Sequence, residues 1–406
     1  MKLNQSTLDA FVAEADRLGG PGAPECESFW AQLQYEPTLV MDQSLDPFSD
    51  AYAAQQLELH REISGRAFDQ KANEQTALDI AAHAAAPNPY NHPDPSALAL
   101  HIERLSRAIR LAKPKVGARL LDMGCGWGLS SEVFAYIGLN VTAVDINPSF
   151  VALVNERAAR SSRSITATLG TFDDYTPTTP VDVILFYECL HHAVRPWTVL
   201  GRLVEWLNTD GSVVLAGEPI NSLWWTSWGM RLDPLSVYCM RKFGWFESGW
   251  SLEFMRDVFA RCGLSLTVVQ DPDPSLGHFL IGKPMRKDIT GEQFFQTTAS
   301  EGSSSDGKWG VIAGNGWFDV NFPPKTSRAR IHLHSFRPAP ISLMMAVENN
   351  VLINQTVSAG LTVIDIERTS DRVRVIFDAE KWAPGEELGN NDTRHLSLHV
   401  ESVSYR

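Results

Sequence analysis

A strand that runs into three alternately spaced glycines and then into a helix constrains this chain more than any other feature. The segment is Leu120-Leu121-Asp122-Met123-Gly124-Cys125-Gly126-Trp127-Gly128. Its apolar start reads as a buried strand, and the residues from Leu129 onward read as a helix. Glycine allows a sharp turn and a close approach of backbone to ligand, while a helix N-terminus presents unpaired N–H groups. Asp145 closes the next apolar run, 21 residues after Gly124, where a carboxylate can accept both hydroxyls of a ribose. Together these features imply a nucleoside-containing cofactor.

The glycine spacing narrows the choice. A dinucleotide site favours Gly-x-Gly-x-x-Gly, whereas this chain has Gly-x-Gly-x-Gly. Asp122, two positions before the first glycine, suits a cationic ligand better than a pyrophosphate. On Asp122-Met-Gly-Cys-Gly-Trp-Gly128 and Asp145 the chain resembles the class I S-adenosylmethionine-dependent methyltransferases, over about residues 95–285. The resemblance implies that Asp122, Gly124, Gly126 and Gly128 hold the methionine end of the cofactor and that Asp145 holds its ribose. It also implies that Ile146 packs on the adenine and that Phe172 or Asp173, with Asp174 close behind, meets the ring and its amino group. Glu188, in the segment after the fourth strand, joins the expected cofactor contacts.

The rest of the chain fits an α/β fold with appended parts. Residues 1–95 read as a polar helical cap region, ended by the breaker-rich AAPNPYNHPDPS. Residues 96–285 alternate apolar runs with helical patterns: 119–124, 141–145, 165–170, 181–188, 211–217, 264–270 and 277–283. That alternation predicts a Rossmann-like seven-stranded sheet with crossover helices. Residues 286–307, with EGSSSDGKWG beginning at Glu301, read as a flexible linker. Residues 308–406 are short alternating runs without a convincing helix and predict a separate all-β sandwich. This last block, with its late Asp392-Thr-Arg394-His-Leu-Ser-Leu run, resembles modules of bacterial surface-polysaccharide enzymes, and Asp392 and Arg394 are expected to pair.

The carboxyl ends of parallel strands face the ligand crevice, so Tyr187-Glu188-Cys189-Leu190-His191-His192 is expected to line the reaction chamber. Methyl transfer to a hydroxyl requires removal of its proton, and a neutral histidine suits that task. His191 or His192 is therefore the expected general base, or else an orienting group, and Glu218 at the end of the fifth strand would orient it or the acceptor. Glu188, His192 and Glu218 would also offer an oxygen-rich divalent site, but their spacing is no metal-ligand pattern and no metal is expected. Residues 219–250 form an aromatic insertion with Trp224, Trp225, Trp228, Trp245 and Trp250, which reads equally as a stacking lid for sugars or as a hydrophobic contact. Arg231, Arg241 and Lys242 add positive charge there for an anionic group. Tyr90 and His92 would close over the cofactor.

Net charge bounds the acceptor. With 35 Lys and Arg against 48 Asp and Glu the chain carries −13, a field that disfavours nucleic acid. Residues 1–90 hold 5 basic against 14 acidic side chains and read as a solvated helical face, with a specific basic partner as the other reading. Five cysteines without a Cys-x-x-Cys pair fit reduced buried thiols. No run is long and apolar enough for a transmembrane segment, and the first residues lack a secretory pattern, so a cytoplasmic location is expected. The expected activity is O-methyl transfer from S-adenosylmethionine to a saccharide or surface glycan or glycolipid precursor. The alternatives are a small-molecule acceptor, or a weakly catalytic protein recruited to a glycan-assembly complex by peripheral association. A homo-oligomer is compatible with either.

Overall fold

The computed structural model describes residues 2–406 except 76, 93, 222, 224, 306–308, 349, 390 and 393. Trp224, expected among the insertion's aromatics, and Thr393 of the late Asp-x-Arg run lie outside the described residues, as does the linker's end at 306–307. The chain divides into two compact units, residues 1–255 with 269–280 and residues 256–268 with 281–406.

The main sheet has seven strands: β1 (Arg119–Met123), β2 (Asn140–Asp145), β3 (Ile165–Leu169), β4 (Val181–Tyr187), β5 (Leu207–Ala216), β6 (Leu264–Gln270) and β7 (His278–Pro284). Their order is β6-β7-β5-β4-β1-β2-β3, and the pairs among β1 to β5 are parallel. The Rossmann-like α/β fold expected of these runs is present. Parallel strands covered on both faces need continuous apolar sequence, and β4 supplies it, with Val181 and Val183 to Tyr187 all buried. The order reverses between β1 and β4, so a crevice opens at their carboxyl ends.

Helices of the first ninety-five residues and the insertion belong to this same unit. Ser49 caps helix Asp50–Ser64 through the Tyr52 N–H, and Gly65 at φ 74° ends it. The insertion folds as strands Trp228–Met230 and Ser248–Trp250, paired antiparallel, around helix Pro234–Phe243. That helix packs on Asp50–Ser64. Asp9 and Asp16 meet Arg241 and Lys242 at 2.7 and 2.6 Å, so part of the N-terminal acidity has a basic partner inside the unit and is not simply solvated. Among the described residues no helix is long and apolar enough to cross a membrane.

The second unit contains the expected all-β domain. Its strands are β8 (Asp288–Thr290), β9 (Ser300–Ser305), β10 (Gly310–Asn321), β11 (Arg328–Ser335), β12 (Ile341–Val347), β13 (Asn350–Val357), β14 (Gly360–Glu367), β15 (Arg372–Ala379) and β16 (Leu398–Tyr405). The main path runs β13-β12-β15-β10-β16-β11-β14. Its two end strands, β13 and β14, are joined by only Ser358 and Ala359, so connectivity curls one sheet toward closure. Alternation sets the inner face: Ala329, Ile331 and Leu333 of β11 and Val373, Val375 and Phe377 of β15 are buried in one core. The expected linker is corrected here. Residues 288–305 form β8 on β16, helix Gly291–Thr297 and β9 on β10; serine hydroxyls do not prevent a strand when a partner edge satisfies the backbone. Helix Pro384–Leu388 also interrupts the run of strands. Asp392 and Arg394 pair at 2.7 and 2.9 Å.

Candidate functional site

A cavity of about 240 Å³ lies at the β1–β4 reversal. Its wall comprises Met123, Gly124, Gly126 and Trp127 after β1, Val144, Asp145, Ile146 and Phe150 from β2 onward, and Gly170, Thr171 and Phe172 after β3. Glu188, Cys189 and His192 close it from β4, and Gln70, Glu74 and Trp245 cover it from the N-terminal helices and the insertion.

The glycine loop is held by the neighbouring strand. The N–H groups of Gly124 and Cys125 donate to the Val144 carbonyl at 2.8 and 3.1 Å. Gly126 N–H donates to Asp145 Oδ2 and Asn147 N–H to Oδ1, both at 2.8 Å. Each carboxylate oxygen thus spends one lone pair on the loop and keeps another for a ligand. The three glycines divide in role. Gly124 and Gly126 form the wall, whereas Gly128 is absent from it: a Cβ there would sit 2.6 Å from Val154 Cγ2. Gly128 lets the helix after β1 pack closely, which corrects its expected place in the ligand cradle. Gly126→Ala and Gly128→Ala should therefore separate. At φ 51° and 89° both incur backbone strain of about 1–2 kcal/mol. The first should weaken ligand affinity about tenfold by isothermal titration, and the second should chiefly lower the thermal unfolding midpoint.

Two buried aspartates flank the loop. Asp145 is raised to about 6 by burial, against which the backbone N–H groups of Asn147, Gly126 and Ile146 work. Asp122, expected to face a cationic tail, is not in the wall. It accepts the hydroxyls of Ser130 and Ser131 at 2.7 and 2.5 Å and is likewise raised to about 6 by burial. Its other oxygen has no hydrogen-bond partner among the described residues. Asp122 ties β1 to the helix that follows, because its side chain alternates away from the crevice. After β3 the register is now visible. Phe172 enters the wall, Asp173 is exposed outside it, and Asp174 accepts the Thr171 N–H at 2.7 Å.

Glu188 adopts φ 52°, left-handed for a non-glycine residue, a strain that clusters at ligand sites. Its carboxylate pairs with Arg104 and lies 3.9 Å from His101 Nδ1. Glu218 is fully enclosed. Its oxygens accept the N–H groups of Cys189, Leu190 and His191 at 3.0, 2.9 and 3.3 Å, and His191 Nδ1 at 2.9 Å. It therefore caps the turn that carries both histidines and does not reach the cavity. His191 is buried behind the wall, and His192 is in it. Burial lowers both imidazoles to about 4, so each is neutral at neutral pH. His192 Nδ1 donates to the Phe246 carbonyl at 3.0 Å, which leaves the lone pair on Nε2. Glu188, His192 and Glu218 do not converge on one point. The described group able to hold a metal is His191, His192 and Glu247.

The insertion contributes less to the cavity than its composition suggests. Trp228 and Trp250 are 1% and 0% exposed and fill the unit's core, and Trp245 alone among the described tryptophans of 219–250 reaches the wall. Arg231 is engaged by Asp233 and Glu247, Arg241 by Asp9 and Lys242 by Asp16, so their charge is already balanced. Tyr90 packs edge-on to Trp127, with ring centroids 5.6 Å apart, while His92 stays exposed and accepts the Asp94 N–H. Gln70, Glu74, Arg104 and Glu247 escaped the sequence reading. Glu74 is raised to about 7 by burial, yet it lies in a polar helical stretch with no motif to mark it.

Residues 121–215 match a family model described as "Methyltransferase domain". The chain is 32% identical over 111 residues to the ubiquinone biosynthesis O-methyltransferase of Xanthomonas campestris pv. campestris, covering 27% of this chain and 46% of that protein. The protein of the same name from Bradyrhizobium sp. is 32% identical over 100 residues, covering 25% and 40%. The chain thus spans less than half the length of these curated relatives. Among solved structures, the Burkholderia thailandensis 1,6-didemethyltoxoflavin-N1-methyltransferase with bound S-adenosylhomocysteine superposes with a TM-score of 0.36 at 18% identity, over 46% of this chain and 79% of that one. An O-methyltransferase family 2 protein from Planctomyces limnophilus gives the same score and identity over 47% and 61%.

Proposed function

We propose that this chain transfers a methyl group from S-adenosylmethionine to an oxygen of a small organic acceptor. The observation that carries the reading is Asp145, whose two oxygens are each fixed by a loop N–H and each keep a lone pair at the cavity wall. That suits the adjacent hydroxyls of a ribose. The adenine fits between Ile146 and Phe172, and the methionine tail fits along Gly124 and Gly126: a Cβ at Gly124 would meet Cys189 at 2.8 Å, so glycine leaves that room, and Gly126 has nothing within 4 Å of the same position. Trp245, Glu74 and His192 then border the acceptor. The acceptor oxygen attacks the sulfonium methyl, the new C–O bond forms as the C–S bond breaks, and sulfur keeps the electron pair. His192, neutral and with Nε2 unprotonated, is the histidine of the wall able to accept the hydroxyl's proton at Nε2 as the new bond forms. His191 and Glu218 position it. The named activity of the curated relatives supports oxygen as the target.

A saccharide acceptor is the second reading. Trp245 in the wall supports it through stacking; the burial of Trp228 and Trp250 removes the larger aromatic platform on which that reading drew. Labelled methyl from S-adenosylmethionine, followed into glycan, lipid, protein and small-molecule pools of an extract, separates the two. Label among small molecules supports the proposal, label in glycan moves the acceptor, and no transfer despite cofactor binding overturns the activity. His192→Ala should lower kcat about 100-fold or more while the S-adenosylmethionine Kd stays within about threefold. An unchanged kcat in that variant removes His192 from the chemistry.

A further inference from the structure

Behind the cavity wall two imidazoles and a carboxylate meet with their protons elsewhere. Nδ1 of His191 lies 2.9 Å from Glu218 Oε2, and Nδ1 of His192 lies 3.0 Å from the Phe246 carbonyl. Glu218 already accepts three backbone N–H groups, so its oxygens act as acceptors. Nδ1 of each ring therefore donates, and each ring keeps its lone pair on Nε2. The rings are 4.3 Å apart. His191 Nε2 faces Glu247 Oε2 at 3.6 Å, which places an acceptor opposite an acceptor. Such a pair repels unless a proton or a cation lies between. One donor atom from each of His191, His192 and Glu247 lies within 4.8 Å of the other two.

The geometry points to a divalent transition-metal site made by His191, His192 and Glu247, opening onto the cavity at His192. Two imidazoles and one carboxylate suit borderline ions such as zinc, cobalt or iron(II), and suit magnesium or calcium poorly. The outer shell has the form such ligands need: a carboxylate and a carbonyl hold the second nitrogen of each histidine. The local charge also favours a cation. Glu247, Glu218, Glu74 and Asp233 surround the site against Arg231, whose Nη1 reaches Glu247 at 3.4 Å while its Nε is nearer Asp233 at 3.1 Å. Three protein ligands leave positions free for an acceptor oxygen. What the ion does there rests on the methyl-transfer reading: it polarises the acceptor hydroxyl, whose proton passes to water, and the resulting alkoxide takes the methyl. With the ion in place His192 Nε2 is a ligand, and the ion takes over the acceptor hydroxyl that the neutral imidazole meets in the metal-free reading.

The test titrates Co²⁺, and separately Zn²⁺ and Mg²⁺, into the full chain stripped with chelator. The expected result is one Co²⁺ per chain with a nitrogen–oxygen absorption spectrum, lacking a thiolate charge-transfer band, displaced by Zn²⁺ and not by Mg²⁺. His191→Ala and Glu247→Gln should each weaken Co²⁺ binding about tenfold or more with the circular dichroism spectrum unchanged. Because either variant can perturb the buried cluster, Glu247→Asp serves as the conservative rescue and should retain binding. No bound ion, a thiolate spectrum, or binding indifferent to both His191→Ala and Glu247→Gln overturns the site. Transfer by the metal-free chain would leave the methyltransferase reading standing and overturn the ion's role. Ion binding without any transfer would leave the site standing and overturn the methyl-transfer reading together with the ion's role in it.

Discussion

Asp145→Ala is expected to weaken S-adenosylmethionine binding by at least about 100-fold while the chain stays folded. The carboxylate does two jobs with four lone pairs: it fixes Gly126 and Asn147, and it presents what remains to the ribose. Hydrogen bonds to a charged group contribute about 1.5–3 kcal/mol each, so losing two toward the ligand amounts to a factor of 10² to 10⁴ by ordinary conversion. Asp145→Asn should lose nearly as much, because its NH₂ would face one of the two loop N–H groups. Circular dichroism and calorimetric titration check both, and wild-type affinity in either variant would remove Asp145 from the cofactor site.

The same residue sets a pH signature. Burial raises Asp145 and Asp122 to about 6. Their folded values lie above the unfolded one, so their contribution to stability is complete below about pH 4 and is lost as pH rises through about 6. Cofactor affinity should move the other way and fall as pH drops through 6, since a protonated Asp145 cannot accept from both ribose hydroxyls. Opposite slopes of stability and affinity between pH 5 and about 7 would identify this carboxylate. Parallel slopes would assign the titration to another group.

Glu218→Gln is expected to cost the protein about 3 kcal/mol or more, and its transfer activity with it. Glu218 satisfies three successive N–H groups and His191 inside a dry interior. An amide in its place turns a donor toward donors, and each buried group left unpaired costs about 1–3 kcal/mol. The thermal midpoint should fall by roughly 10 °C for a unit of this size, and kcat by at least about 100-fold as the turn carrying His192 relaxes. A lost kcat with an unchanged midpoint would instead place Glu218 on the acceptor as a catalytic residue.

Much of this was written locally. The apolar runs from 119 to 283 specified the main sheet because parallel strands buried on both faces need uninterrupted hydrophobic sequence, and Asp145 was legible because a strand end is a fixed place in that fold. The misread segments were those whose pairing or burial the local composition does not mark. The serines at 303–305 looked like a flexible connector until β10 supplied an edge, and the insertion's tryptophans looked like a lid until their burial showed two of them to be core. Gly128 shares a motif with Gly124 and Gly126 but answers to Val154.

By itself, then, the sequence determined the strand–glycine–helix turn, the acidic residue one strand over and the histidine pair at the end of β4. Each is set by backbone conformation and side-chain periodicity within a few residues. Only the tertiary structure decided which histidine reaches the cavity, that Glu218 is a cap, and that Glu74 and Glu247 stand beside His192 and His191. These facts depend on groups 27 or more residues apart sharing one dry volume, where desolvation and hydrogen-bond satisfaction, not local pattern, select the arrangement.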